Sequence, residues 1–410
     1  MSHGSGKLDR LRLYSLCFLA LSVSLGVALV SLAKLMLLIA VLLQGLTDVR
    51  QRHRATAPNS ASTLPWPRSL WWGAAALLWM GLSMTWSSAP ASEAWLALSR
   101  HARWLVLPAA FYLMRAGTPA WPVLQCLVAG QLFVLLSSWL MVLGIPLPWA
   151  ISVMSPDKAV VFTSTIEQPI MNTLMMLVVW YFRDQWPVPY RRFAVWAVLA
   201  LTSANVLLVV PGRAGQLTLL LAWVFILVGI LPSRHRWMAV LVPVLVAGAV
   251  ALGSDRMQQR WLKAQTDIQA LQDGPPEMDN SVGYRLQAWQ ISAESLAQKP
   301  IFGHGVGGWK KAYADQGGAL KNADDPHQQF LLWAVEGGLI GLTLFSVFLF
   351  TLWRIGKPLK IEAARSLRAY VGITCLAGIS SSVLIGAVIG EFLFVSYAIL
   401  LANPNYNDLK

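Results

Sequence analysis

The sequence predicts an all-α integral membrane protein with about twelve transmembrane helices and one large loop outside the membrane. Of its 410 residues, 56% are hydrophobic and only 12% are charged, against about 25% charged residues in soluble domains. A soluble protein with so few charges would leave apolar surface facing water, whereas in a bilayer such surface faces lipid. The mean hydropathy of +0.55 agrees with this class.

Twelve apolar segments approach the length of about 20 residues that a transmembrane helix needs. In chain order they are 13–30, 32–49, 69–86, 94–114, 120–143, 169–182, 193–210, 214–231, 237–252, 328–353, 369–387 and 390–402. No internal repeat or low-complexity tract divides the chain. We therefore predict a single membrane-embedded domain over residues 1–410, with residues 253–325 as a loop within it.

The basic residues predict how the chain is oriented. Lys and Arg gather at the N-terminus and on alternate connections, at Arg50, Arg52, Arg54, Arg68, Arg115, Arg183, Arg191, Arg192, Arg234, Arg236 and residues 354–368. The positive-inside rule assigns these connections, and both termini, to the cytoplasm. It also accounts for the net charge of +13 without nucleic acid as a partner. The loop 253–325, with eight Lys or Arg and nine Asp or Glu, then faces the periplasm of a bacterial inner membrane.

Two helices are predicted inside that loop, over residues 255–272 and from about residue 282 to Pro300. In the second, apolar side chains recur at helical spacing and are expected to pack against the membrane bundle. They are Val282, Leu286, Trp289, Ala293 and Leu296. The three cysteines lie far apart within apolar segments, so neither a disulfide framework nor a cysteine metal site is predicted.

Lys34, Arg100 and Arg103 lie in or near the predicted periplasmic ends of apolar segments. A charge within a span costs about 2.5–3.5 kcal/mol on insertion scales, and it is a candidate for function by default. We predict that these three residues bind substrate. The alternatives are that they reach the membrane interface, or that they form a structural ion pair with Glu93 or Glu391.

Arg213 and His327 stand where the eighth and tenth spans begin. Arg213 follows Gly212 in a tight turn at a helix N-terminus, and an arginine beside free N–H groups forms a good receptor for a diphosphate. His327 follows Asp324 and Asp325, and imidazole is the side chain that most often transfers protons near neutral pH. The two aspartates either increase the basicity of His327 or cap the tenth helix, and we favour the cap.

Four short motifs and their order resemble the O-antigen ligase/polymerase superfamily. They are Ser-Val-Gly-Tyr-Arg-Leu-Gln-Ala-Trp at 281–289, Pro-Ile-Phe-Gly-His-Gly-Val-Gly at 300–307, His-Gln-Gln-Phe-Leu at 327–331 and Glu-Gly-Gly-Leu-Ile-Gly-Leu at 336–342. The Pro-Gly-Arg213 turn is similar to that family's arginine turn, where Ser more often precedes the Arg. Gln168 and Pro169 are a fainter match.

The resemblance implies a metal-independent, inverting glycosyltransferase of the membrane-embedded GT-C type without a cofactor. Its donor would be a glycan on undecaprenyl diphosphate, and in the ligase branch its acceptor would be a sugar hydroxyl of lipid A–core oligosaccharide. The family's essential residues carry over to Arg213, Arg285 and His327. Arginines can stabilise a departing diphosphate without Mg²⁺, and a histidine can take the acceptor proton. The residues expected to bind substrate are Arg100, Arg103, Trp289, Gln168 and Lys34.

Three other functions remain open at this point. An O-antigen polymerase uses a similar donor but elongates a second lipid-linked glycan, and a protein O-glycosyltransferase belongs to the same superfamily. A transporter or flippase for a lipid-linked glycan is the alternative from another class. It would predict two related halves and charges near the membrane midplane, whereas the candidate residues here cluster at one predicted membrane face.

Overall fold

The apolar segments form helices throughout the part of the chain that the computed structural model describes. These residues are 3–54, 64–150, 159–210, 212–253, 262, 281–318, 323–355 and 358–404. The helices are α1 (His3–Ser22), α2 (Val27–Arg54), α3 (Arg68–Leu82), α4 (Ala91–His101), α5 (Val106–Arg115), α6 (Ala120–Val142), α7 (Glu167–Tyr181), α8 (Arg191–Ala204), α9 (Arg213–Ile230), α10 (Met238–Gly253), α11 (Ser281–Gln298), α12 (Gly308–Asp315), α13 (Gln329–Arg354), α14 (Ile361–Ser380) and α15 (Ile389–Leu401). The predicted all-α class is confirmed.

Several helices are long and apolar enough to cross a membrane. Within the described ranges there are five of these, Val27–Gln51, Ala120–Val142, Arg191–Val209, Arg213–Ile230 and Gln329–Arg354. The chain is therefore a polytopic integral membrane protein, and the count of twelve spans stays a prediction. One predicted span, 94–114, is divided into α4 and α5 by a 3₁₀ turn at Ala102–Leu105.

The first and last pairs of predicted spans have different bounds in the structure. The first pair, 13–30 and 32–49, is replaced by α1 and α2, which meet at residues 23–26. The predicted span 369–387 is replaced by α14 over Ile361–Ser380 and a loop over residues 381–388. Val383, Leu384 and Val388 of this loop are buried. A buried apolar loop has the hydropathy of a span, which explains the error.

The bundle is centred on α15, a 13-residue helix that is buried along its whole length. It packs against α5, α6 and α14. At a rise of 1.5 Å per residue it measures about 20 Å, less than the bilayer core of about 30 Å. A helix that is apolar on every side is suited to the interior of a bundle, and here it supports the residues around it.

Helix α13 is broken at Gly338, where φ is 65° and ψ is −167°. The predicted span 328–353 is thus not one continuous helix. Next to the break, the Val335 and Glu336 carbonyls accept the N–H groups of His304 (2.7 Å) and Gly305 (2.9 Å). The Gly337 carbonyl accepts Trp79 Nε1 at 2.8 Å. The loop 300–307 and α3 therefore supply partners for carbonyls at the break.

We expect Gly338→Ala to destabilise the protein severely. A Cβ at this position would collide with the Ile301 carbonyl, and the backbone conformation is one that essentially only glycine adopts, so the cost is about 3 kcal/mol or more. Thermal unfolding of the detergent-purified protein measures this effect. Gly229→Ala in α9 is the control, because its added Cβ meets nothing within 4 Å. Equal melting temperatures for the two variants would contradict this role of Gly338.

Helix α11 agrees with the helix predicted after residue 281, but a different face of it is buried. Ala288, Ile291, Ser292 and Ser295 are buried, whereas Leu286 is 48% exposed. The serines can be buried because each hydroxyl donates to a carbonyl one turn earlier, Ser292 Oγ to Ala288 O at 2.6 Å and Ser295 Oγ to Ile291 O at 2.7 Å. Apart from Leu262, the predicted helix at 255–272 lies outside the described residues.

Candidate active site

The turn that carries Arg213 lies directly against the start of α7. A Cβ on Gly212 would collide with the Thr165 carbonyl, and a Cβ on Gly215 would lie 2.5 Å from Pro169 Cβ. Gly212 has a φ of −128°, so close packing rather than an unusual backbone angle requires glycine here. Arg213 itself is the first residue of α9 and is exposed. The helix N-terminus adds its partial positive charge to that of the guanidinium.

Arg285 lies close enough to Arg213 for the two charges to repel each other. Burial lowers the pKa of Arg285, and the nearby charge of Arg213 lowers it further. Neither guanidinium forms an ion pair with a carboxylate in the described part of the chain. Burial disfavours the cation of Arg285 and repulsion disfavours the pair in the free protein, and an anion bound between them would relieve the repulsion.

His327 is positioned by Asp325. The Asp325 Oδ1 atom accepts the backbone N–H of His327 at 2.7 Å and lies 3.6 Å from its Nδ1. Ser382 Oγ donates to the same oxygen at 2.8 Å. His327 has a φ of 49°, an uncommon conformation for a non-glycine residue, and the bond to its backbone N–H stabilises it. The imidazole is partly exposed and thus accessible to a substrate.

The start of α11 joins Arg285 to the His327 loop. The Tyr284 ring meets the imidazole of His327 edge-on, with ring centroids 5.4 Å apart, and its hydroxyl donates to the Asp325 carbonyl at 2.6 Å. Trp289 Nε1 donates to the Pro326 carbonyl at 3.2 Å. The contact of Trp289 is therefore with the loop that carries His327, and its predicted role in substrate binding stays a prediction.

Asp324 and Asp325 do not cap α13. The cap is Gln328, whose side-chain carbonyl accepts the N–H of Leu331. The sequence interpretation that favoured an aspartate cap was wrong, because Asp325 contacts His327 instead. Asp324 pairs with Arg100, with Nη2 and Oδ2 3.2 Å apart, so Arg100 lies beside the same loop.

The other predicted binding residues are held by protein partners. Lys34 Nζ pairs with the buried Glu391 Oε1 at 2.8 Å. This is the structural ion pair that the sequence left open as an alternative to substrate binding. Arg103 donates to the Ile385 carbonyl and interacts electrostatically with Glu391 and Glu167. The loop 381–388 lies between this cluster and the His327 loop, since Ser382 contacts Asp325. A direct contact of Lys34 or Arg103 with substrate stays a prediction.

Gln168 is buried and fixes the segment before α7. Its Oε1 accepts the Val161 N–H at 2.8 Å and its Nε2 donates to the Ala159 carbonyl at 3.1 Å. Both ends of the amide bond to backbone groups and the side chain is buried, so a direct contact of Gln168 with substrate stays a prediction. The structure thus gives Gln168 a role in supporting the turn against which Arg213 is placed.

A buried pair formed by His101 and Glu336 lies near the candidate residues and was not predicted from the sequence. His101 Nε2 and Glu336 Oε2 are 3.2 Å apart, and Glu336 Oε1 accepts the Gly307 N–H at 2.9 Å. Glu336 thereby connects the broken helix α13 to the loop 300–307.

Tyr284 and Glu336 belong to motifs visible in the sequence, whereas Ser382 carries no sequence signal because it lies in an apolar stretch far from Asp325.

Several of the candidate residues lie in a segment of the chain that matches a known protein family. Residues 198–346 match a family model described as Wzy_C, O-antigen ligase. The matched segment includes Arg213, Arg285, His327 and the contact between the loop 300–307 and α13. No curated protein matches the chain.

Proposed function

We propose that the chain, whose residues 198–346 match the family model described as Wzy_C, O-antigen ligase, is an O-antigen ligase. In this proposal it transfers a glycan from undecaprenyl diphosphate to a sugar hydroxyl of lipid A–core oligosaccharide. The reaction is a glycosyl transfer between two lipid-linked substrates at a membrane surface. The site faces the periplasm, and the fold is of the GT-C type with about twelve spans.

The observation that carries the proposal is the pair formed by Arg213 and Arg285. Two guanidinium groups that repel each other, one of them partly buried and neither paired with a carboxylate among the described residues, favour binding of a compact polyanion. A diphosphate supplies several acceptor oxygens in the geometry that arginines bind bidentately. It also gains negative charge as it leaves, so the same contacts strengthen in the transition state.

The proposed reaction is a single displacement. The acceptor oxygen attacks the anomeric carbon as the bond from this carbon to the diphosphate oxygen breaks, so the configuration inverts. His327 Nε2 receives the acceptor proton, and the bond electrons leave with the diphosphate between Arg213 and Arg285. Asp325, 3.6 Å from His327 Nδ1, orients the imidazole and leaves Nε2 for the acceptor.

We expect Asp325→Asn to lower kcat by up to about 100-fold, because small displacements of a catalytic group cost that much. KM for the donor should change little, since Asp325 contacts His327 rather than the arginines. Steady-state transfer kinetics in proteoliposomes measure both constants. Asp315→Asn is the matched control, because this exposed aspartate pairs only with the exposed Lys311 in the described structure. A change confined to KM would contradict the positioning role.

Chelators are expected to leave the transfer rate unchanged. Arginines neutralise the leaving diphosphate in this proposal, so no divalent cation is required. Transfer assayed after dialysis against EDTA, with and without added Mg²⁺ or Mn²⁺, tests this. A rate that falls on chelation and returns on adding metal would show that the arginines are insufficient.

A reconstituted reaction tests the proposed function itself. Purified undecaprenyl-diphosphate glycan is offered together with lipid A–core and a second donor molecule, and the lipid that is extended is identified by mass spectrometry. Extension of lipid A–core is the expected result. Extension of the second donor would instead show a polymerase, transfer to an added protein acceptor a protein O-glycosyltransferase, and movement of lipid without transfer a flippase.

A further inference from the structure

An apolar groove lies at the end of the bundle opposite to the candidate active site. Helices α3 and α13 run antiparallel, because Trp79 near the end of α3 contacts Gly337 near the start of α13. At their other ends, Arg68 and Arg354 border one groove of about 520 Å³. Beyond the break at Gly338, α13 continues to Arg354, a run of about 24 Å at 1.5 Å per residue. The groove is therefore at the end of the bundle away from the candidate active site, on the side that the positive-inside rule predicts to be cytoplasmic.

The walls of the groove are apolar and its rim is basic. Phe111, Phe350 and Leu401 line it, and Arg68 and Arg354 are the charged residues among the described residues of its lining. Both arginines are exposed, and neither forms an ion pair within the described part of the chain. The volume is within the range of about 300–1,000 Å³ that is typical of sites for small ligands.

Aromatic residues and a third cation flank the groove. Trp66 and Trp353 are partly exposed beside it, as is typical of aromatic residues at the membrane interface. The Arg354 guanidinium lies over the Phe350 ring, 5.7 Å from its centroid. This contact keeps the guanidinium beside the groove, because Phe350 lines it. A third cation, Arg115, is close, because its Nε donates to the carbonyl of Leu64 in the groove wall.

We propose that this groove binds one anionic phospholipid of the bilayer. An acyl chain occupies the apolar groove, and the headgroup phosphate accepts hydrogen bonds from Arg68 and Arg354. The net negative charge of the lipid matters, because the ammonium group of a zwitterionic lipid would be repelled by the same arginines. The glycan donor and acceptor are different ligands, since their reacting groups meet at the opposite face.

Binding is expected to stabilise the protein, because the lipid contacts the ends of α3, α13 and α15 only when these are packed together. The test uses the full-length protein in a neutral detergent, titrated with phosphatidylglycerol or with phosphatidylcholine of the same acyl chains. Native mass spectrometry measures binding and a thermal melt measures stability. We expect one phosphatidylglycerol to bind saturably and to raise the melting temperature, and phosphatidylcholine to bind at least about tenfold more weakly.

Two variants and a matched control test the residues. Arg68→Gln with Arg354→Gln should weaken phosphatidylglycerol binding by about tenfold or more. Arg192→Gln with Arg236→Gln removes the same charge from exposed positions outside the groove, and it should leave binding unchanged. Thr351→Phe should weaken binding of the acyl chain by narrowing the groove without any change in charge.

Three results would overturn the proposal. The first is equal binding of the two lipids, which would remove the role of the headgroup charge. The second is an equal loss in the arginine pair and its control, which would show a nonspecific charge effect. The third is the same stabilisation by inorganic phosphate alone, which would show an anion site that does not use the groove.

Discussion

Replacing His327 by alanine is expected to lower the rate of glycan transfer by about 10²- to 10⁴-fold, the contribution typical of a general base. The imidazole lies at the surface of the site, with its Nδ1 toward Asp325 and the Tyr284 ring beside it. Its removal leaves no other histidine in the loop 323–328 to accept the acceptor proton. Single-turnover transfer from radiolabelled donor to lipid A–core measures the loss.

The matched control is His235→Ala, which changes a histidine in a short 3₁₀ turn between α9 and α10. This variant should keep full activity. Binding of the donor to His327→Ala should also be retained, because the proposed diphosphate contacts are made by arginines. If His327→Ala transferred glycan at the rate of the His235 variant, the histidine would not be the base.

Replacing Arg285 or Arg213 by alanine is expected to lower transfer by about 10²- to 10³-fold, as when one donor to a developing anion is removed. Arg→Lys at either position should restore little activity, because an ammonium cannot form the two parallel hydrogen bonds of a guanidinium. The double alanine variant should lose less than the product of the two single losses, since both groups bind the same diphosphate.

The stability of the arginine variants separates a functional role from a structural one. The pKa of Arg285 is lowered in the folded protein by burial and by Arg213, so its charged form is disfavoured there relative to the unfolded chain. Arg285→Met should therefore raise the melting temperature in the absence of substrate while it lowers transfer as Arg285→Ala does. Arg192→Met, at an exposed position on another helix, controls for the loss of charge. A large fall in melting temperature for Arg285→Met would indicate a structural role.

The sequence alone was sufficient for the membrane class and for most of the helices, because apolar character and helical period are local properties of the chain. It also indicated the candidate residues Arg213, Arg285 and His327, through motifs that lie within the segment 198–346, which matches the O-antigen ligase family model. Their roles in catalysis remain predictions. Lys34 illustrates the limit, since the sequence left open whether it binds substrate or pairs with Glu391, and the tertiary structure contains that pair.

Three features depended on contacts between distant parts of the chain. Gly338 interrupts α13 because the loop 300–307 offers N–H groups to the carbonyls at the break. The apolar loop 381–388 has the hydropathy of a transmembrane span. Only the packing shows that it is a buried loop between Arg103 and Asp325. Asp325 orients His327 instead of capping a helix, because Gln328 takes the cap and Ser382 of the loop 381–388 contacts Asp325. Partners so distant in sequence meet only when the helices pack, and no local pattern encodes them.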